Sequence, residues 1–503
     1  MKPILILTLL VLCAGLILVA CCTTAPAQTP EAQGDALVTQ GAHAFNQSNY
    51  HAAATYFLLA QQNYTAAGDT TLALDARDRR TVSRMMTMEF PYNRSTVERL
   101  VAAAVPDATD AERERLLNDR AVTLTSDGEV WYFTSTARNI QLHSPALMQR
   151  STAAANHTPL YDELTPLIFA RQENGTGPYG TPVQYEGRGA FSIPRDKLPA
   201  TGTLKLWIPL PIEEGAQTNV TIISVEPARY VKSSTGTNAD IGLTYLEIPL
   251  FEVTDPFVNV TVRFRFTQAE QRFAIDPAKV LPYNTSSPEY RKYTAPGRNI
   301  ALTPAMVAKA QEIVGDETNP YLKAQKIYWY IMDTLPYSKV PHTWLDAAGT
   351  PESVYVLSTG IGDCGSQSMY FAALCRAVGI PARTPGGMQM IAGAAGSHFW
   401  AEYYLEGYGW IPVDVTAAEG ADWSYNATPD ERHRFREYYF GSLDPYRYVI
   451  QKDADIPLVP VPEDSTSSDL SLQEPRGVCD TCMENPTLLF PDASAWTVTF
   501  TKS

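Results

Sequence analysis

Cys364, His398 and Asp414 follow one another in the second half of the chain. A thiol, an imidazole and a carboxylate in hydrogen-bonded series make an activated nucleophile, because the base takes the thiol proton and the carboxylate orients the base. Cys364 follows a glycine-containing turn, Ser358 to Gly362, and opens a run, Ser366 to Val378, whose pattern predicts a helix. Gly379 stops that run and Ile380-Pro381 cannot continue it. A cysteine at a helix N-terminus lies beside unpaired N–H groups and the positive dipole end, which favours thiolate.

The other two residues need an element that sets them on one side. His398 to Tyr404 is rich in strand formers, Gly407-Tyr408-Gly409 turns the chain, and Trp410 to Val415 runs back, so a hairpin is predicted. Opposed residues of an antiparallel pair share a face, and a one-residue slip would separate His398 from Asp414. With the correct parity, Asp414 holds the imidazole while His398 serves Cys364.

Several stretches together carry a resemblance. Gly362-Asp363-Cys364 is followed by Leu374-Cys375-Arg376-Ala377-Val378-Gly379-Ile380-Pro381-Ala382-Arg383. His398-Phe399-Trp400 and Gly409-Trp410-Ile411-Pro412-Val413-Asp414 come next. This pattern resembles the transglutaminase-like superfamily, from about Tyr321 to Asp414 and onward to Tyr448. The resemblance implies a papain-like α+β core with Cys364 as nucleophile, His398 as general base and Asp414 as orienting carboxylate. Such folds include cross-linking transglutaminases, proteases, amidases and inactive relatives, and the fold alone does not choose among them.

Length and composition set the frame. The 503 residues are enough for about three domains. A net charge of −15 argues against nucleic acid, which demands a basic surface. Lys2 followed by the apolar run Ile4 to Ala20, ending Leu18-Val19-Ala20-Cys21, reads as a signal peptide with a lipobox. Cys21 would then carry the lipid, and the alternative is an uncleaved anchor helix. Either reading exports the rest of the chain and places it on the outer face of the membrane. Asn-x-Ser/Thr triplets such as those at Asn46 and Asn63 fit export.

The remaining cysteines separate by role. Cys375 lies on nearly the same helix face as Cys364 but roughly 16 Å along the axis. A disulfide needs Cα atoms within about 7 Å, so Cys375 is read as a core thiol. Cys479 and Cys482 form a lone C-x-x-C, a candidate disulfide in an exported chain; a metal site would want a second ligand pair. No cofactor or metal is expected, since the seven His form no H-E-x-x-H and no glycine-rich phosphate loop occurs.

The expected architecture is multidomain α+β, with a signal peptide at 1–21 and a tether at 22–35. An N-terminal helical region at 36–175 includes a hairpin in which Gly41, Tyr50, Ala53, Phe57 and Ala60 follow tetratricopeptide (TPR) spacing. The generic alternative is a plain helical hairpin; either serves as a spacer or partner-docking module. Short alternating segments at 180–275 predict an antiparallel β-sandwich. The transglutaminase-like domain spans 296–450, and an extension with the C-x-x-C occupies 451–503, where Trp496 to Phe500 is read as an edge strand. Thr303-Pro304 is a helix start. Trp329, Tyr337, His342 and Trp344 precede the nucleophile as cleft candidates without an assigned role. The function read from all this is thiol acyl transfer on a protein or peptide, with hydrolysis favoured over cross-linking. The alternative is a non-catalytic surface scaffold.

Overall fold

A computed structural model describes residues 29–152, 159–170, 177–391, 394–423, 427–463, 470–479, 481–482 and 496–502. Cys21 and the whole signal segment lie outside these residues. Among the described residues, no helix is long and apolar enough to cross a membrane.

Three antiparallel-neighbouring helices open the chain: α1 (Pro30–Asn46), α2 (Tyr50–Ala67) and α3 (Thr70–Met88). Thr29, Asn49 and Asp69 each cap the helix that follows by accepting a backbone N–H. Tyr50, Ala53, Phe57 and Ala60 are the buried face of α2, so the spacing noted in the sequence is a packing stripe. Helices α4 (Arg94–Ala104) and α5 (Asp110–Arg120) follow, then a small ribbon of β1 (Thr123–Ser126) and β2 (Glu129–Tyr132). Three further helices, α6 (Thr136–Leu142), α7 (Pro145–Arg150) and α8 (Pro159–Phe169), complete the region.

Strands then dominate: β3 (Val183–Pro194), β4 (Thr203–Pro209), β5 (Gln217–Glu226), β6 (Val231–Ser234), β7 (Leu243–Pro249), β8 (Phe257–Gln268) and the short β9 (Gln271–Arg272). Burial alternates strictly along β8, as period-two patterning requires. The second half begins with α9 (Pro288–Thr294), α10 (Pro304–Val314), α11 (Pro320–Thr334), α12 (His342–Ala348), α13 (Glu352–Thr359) and α14 (Cys364–Ala377). Thr303 accepts from Met306 N with Pro304 in the first turn, the start the sequence predicts. Next come β10 (Ala382–Arg383), β11 (Gly386–Ile391), β12 (Ala394–Phe399), β13 (Ala401–Leu405) and β14 (Gly409–Val413). Short helices α15 (Val415–Ala418), α16 (Gly420–Trp423) and α17 (Pro429–Tyr438) precede β15 (Ser442–Leu443), β16 (Arg447–Gln451), β17 (Arg476–Cys479) and β18 (Trp496–Lys502).

The largest sheet has seven strands in the order β16-β11-β12-β18-β3-β8-β5, and a second has four, β17-β4-β7-β6. Side chains of both sheets share one apolar core, with Phe264, Tyr448, Leu206 and Leu246 all enclosed. The seven-stranded sheet therefore draws strands from three stretches of sequence. Trp496 to Phe500, read as an edge strand, is instead interior, hydrogen-bonded to β3 along its length and to β12 at Ala394↔Thr499. Its alternating burial, Trp496, Val498 and Phe500 inward, is what an interior strand with one covered face shows.

A separate core surrounds α14, whose residues from Gly365 to Arg376 are all buried. A helix enclosed on every side needs apolar or small residues all round, which Met369 to Cys375 supply. Arg376 closes its far end, giving Nε to Ala382 O (2.8 Å) and Nη2 to Asp453 Oδ2 (2.7 Å).

Candidate active site

The nucleophile's position is built by its cap. Asp363 is the N-cap of α14, and its Oδ1 accepts the N–H groups of Gly365 and Ser366, both at 3.2 Å. Ser366 Oγ returns the bond by accepting Asp363 N–H at 2.9 Å, a complete capping box. Cys364, the first helical residue, keeps its own N–H outside that cap. That amide faces the dipole end, where an anion is stabilised. Gly365 permits the approach of the next strand: a Cβ there would lie 3.2 Å from the Phe399 ring.

His398 and Asp414 meet at 2.7 Å, imidazole Nε2 to carboxylate Oδ2. The predicted hairpin does not carry them. The strand breaks at Trp400: β12, with His398, belongs to the seven-stranded sheet, whereas β13 pairs with β14 in a three-stranded one. The β13–β14 register ends at Ala401↔Val413, so His398 lies past the ladder and Asp414 is the N-cap of α15. The sequence reading runs one strand through Trp400, whereas the chain passes there, with the indole buried, from one sheet to the other. The residues converge all the same, because both flank the junction between sheets.

Asp414 is fully enclosed and fully used. Its Oδ1 accepts Ala417 N–H (2.8 Å), and its Oδ2 accepts Arg447 Nη1 (2.6 Å) as well as His398. Arg447 is itself buried and paired through its other nitrogens with Asp444, which also accepts Tyr439 OH at 3.0 Å. Burial would raise the Asp414 pKa, but His398 and Arg447 hold it well below the usual carboxylate range. Burial would likewise lower the His398 pKa. Asp414 foremost, with Cys364 adding to it, reverses this and carries it up to about 9. With Nε2 committed to Asp414, Nδ1 is the nitrogen left for the thiol.

A second histidine stands behind the nucleophile. His342, the first residue of α12, places Nδ1 2.7 Å from Glu352 Oε1 and Nε2 2.6 Å from Asp363 Oδ2. Burial would depress its pKa, but Asp363 and Glu352 lift it well above the ordinary value. The ring is therefore an imidazolium donating from both nitrogens. It anchors the unused oxygen of the very carboxylate that caps the Cys364 helix. Glu419 adds a buried acid, and burial, with Asp422 next, keeps its pKa well above the carboxylate range.

Of the aromatic candidates, Tyr337 lies beside Cys364 and packs on Trp423, ring centroids 5.3 Å apart. Trp329 stacks on His433, and Trp344 packs edge-on against Phe90. Cys375 is buried and far along α14, its thiol pushed well up by burial. Cys479 and Cys482 are disulfide-bonded, Cα atoms 5.4 Å apart. Among the described residues, no group of His, Cys, Asp and Glu is arranged to hold a metal ion. Sequence reasoning missed Arg447 and left His342 without a role. Asp444-Pro445-Tyr446-Arg447 carries an acid–base pair three apart, but nothing local says that the arginine also reaches Asp414.

Residues 307–415 match the family described as the transglutaminase-like superfamily, so the chain carries a transglutaminase-like core. An uncharacterized protein of Haemophilus influenzae is 26% identical over 295 residues, covering 52% of this chain and 77% of that protein. Among solved structures, the fold is similar to a proposed cysteine protease from Cytophaga hutchinsonii, with 13% identity and a TM-score of 0.40, over 64% of this chain and 92% of the other. It is also similar to the periplasmic domain of TgpA from Pseudomonas aeruginosa, with 16% identity and a TM-score of 0.25, over 50% and 98% of the respective chains.

Proposed function

We propose that this chain is a thiol acyl-transfer enzyme acting on peptide or carboxamide bonds. One observation carries the reading: His398, its pKa raised in part by Cys364, stands 2.7 Å from a fully buried, Arg447-paired Asp414. Cys364 Sγ attacks the carbonyl carbon after its proton passes to His398 Nδ1, and the oxyanion forms against the Cys364 N–H. Collapse breaks the C–N bond, and the imidazolium proton goes to the leaving amine, giving a thioester. Water, deprotonated by His398, then releases the acid and restores the thiol. A lysine amine in place of water would give a cross-link. Hydrolysis is the favoured fate, as the more economical chemistry for a surface protein. The same reading makes 1–21 an export signal with Cys21 lipidated, and α1–α3 a TPR-like module that docks a partner.

The test uses the fragment that begins after the signal segment. Alkylation of Cys364 by iodoacetamide is timed at neutral pH in wild type and in His398→Ala, with Cys364→Ala as blank. Expected is a rate at least about tenfold lower in His398→Ala, followed by detection of peptide cleavage or amine incorporation that Cys364→Ala abolishes. Equal alkylation rates and no turnover of a diverse peptide mixture would leave the scaffold reading.

A further inference from the structure

The chain holds 54 acidic against 39 basic residues, so a buried guanidinium has carboxylates to choose from. Most take one. Arg376 pairs with Asp453, Arg383 with Glu214 and Glu402, and Arg447 with Asp414 and Asp444. Arg138, on α6, is different. It is half-buried, and its one hydrogen bond among the described residues runs from Nη1 to the neutral Gln141 Oε1 at 3.2 Å. Burial lowers its pKa, and the only group acting against that is Tyr337. Desolvating a guanidinium without a counter-ion is unfavourable unless a ligand supplies one.

Its location is fixed by a built contact. Asn139, the next residue, clasps the Lys339 backbone from both sides, giving Nδ2 to Lys339 O (3.0 Å) and accepting Lys339 N–H at Oδ1 (2.7 Å). The clasped segment is held to the nucleophile's turn by Ser338 N–H on Gly362 O at 2.8 Å, and by a bridge between Tyr337 and Gly362. Lys339 is exposed, with its ammonium 5.7 Å from the Tyr337 ring centroid and no ion pair among the described residues. Two cations with no carboxylate partner among the described residues therefore lie on the two segments that Asn139 joins, one of them over the Tyr337 ring.

We propose that Arg138 and Lys339, brought near each other by the Asn139 clasp, hold a carboxylate of the substrate, so that the enzyme acts on peptides bearing a negative charge close to the reacting amide. A guanidinium offers the fork that a carboxylate fits, and the ammonium adds a second charge. The inference rests on the acyl-transfer reading for its consequence, but the subsite can be read without turnover. The carboxylate would come from a free C-terminus or from an acidic side chain.

The experiment compares two small alkylating agents on Cys364, anionic iodoacetate and neutral iodoacetamide, in wild type, Arg138→Gln, Lys339→Gln and the double variant. The ratio of the two rates cancels any change in the thiol itself. Expected is a ratio several-fold lower in the double variant at low salt, restored by Arg138→Lys and weakened in every active form by added salt. Peptide mixtures then protect Cys364 from iodoacetamide: free acid against C-terminal amide, and internal Glu against Gln. Stronger protection by the free acids assigns the C-terminus, and stronger protection by Glu peptides assigns the side chain. An unchanged ratio in the double variant, or equal protection by charged and neutral peptides, overturns the subsite. A lowered ratio and charge-selective protection without turnover would keep the subsite and sink the catalytic reading alone.

Discussion

His398 and Arg447 share one oxygen of Asp414, so the ionisation of three buried groups is decided together. The raised His398 pKa means that the folded chain binds its proton more tightly than the unfolded chain does. Its contribution to stability is therefore full below about pH 6.5, declines as pH climbs towards about 9, and is absent above, a span of about 3 kcal/mol. Unfolding free energies of wild type and His398→Gln, compared from pH 6 to about pH 10, should converge across that window. A constant difference would show that the pair is not ionised. Arg447 makes the complementary case. Arg447→Met leaves Asp414 and Asp444 buried with too few donors, and should cost about 3–5 kcal/mol in urea unfolding. Arg447→Lys should recover little of this, since an ammonium cannot bridge both carboxylates with the same fork.

At the scale of elements, the site depends on where strands end. Gly387 is paired directly with His398, and a Cβ on it would lie 1.9 Å from the Tyr448 carbonyl oxygen of β16. Gly387→Ala must push β11 and β16 apart under the imidazole. A displacement of that order should lower acyl transfer by about a hundredfold while the far-ultraviolet spectrum stays native. Activity within a few-fold of wild type would mean the sheet absorbs the strain elsewhere. The three residues of the candidate triad stand out in the sequence because type, spacing and the Gly-Asp-Cys and His-Phe-Trp stretches converge on them, and the structure brings His398 and Asp414 within 2.7 Å. The helix carrying Cys364 was legible too, through its stop at Gly379 and its unbroken small and apolar run. The connection between His398 and Asp414 was not. A continuous run of strand formers looks the same whether it stays in one sheet or crosses at Trp400, and only the partners of β12 decide. Arg447, His342 and Arg138 escaped for a related reason: each matters through groups distant in sequence, which no local period records.

Taken whole, the molecule ties its N-terminal helices to the transglutaminase-like core at α3 and α12. Glu89, the C-cap of α3, accepts the Trp344 N–H at 2.8 Å and so caps the helix that His342 begins. Burial, aided by Glu352, raises the Glu89 pKa to about 7 despite the Trp344 and His342 contributions. The folded chain then binds this proton more tightly than the unfolded chain, so the junction weakens as pH rises from about 4.5 to about 7, by about 2 kcal/mol. Glu89→Gln should flatten the stability profile in that range, as thermal melts at pH 5 and pH 7 would register. A second contact, Arg77 Nη1 to Cys479 O at 2.8 Å, binds α3 to the disulfide loop as well. The placement of β18 bears on a different matter, the order in which a ribosome delivers the parts. When β3, β8, β11 and β12 have all emerged, the gap between β12 and β3 is still vacant, and two hydrophobic strand edges face each other unpaired. The sheet that seats His398 can close only when residues 496–502 arrive. Until then the nascent chain has its thiol but not its finished base, and depends on being kept from other chains.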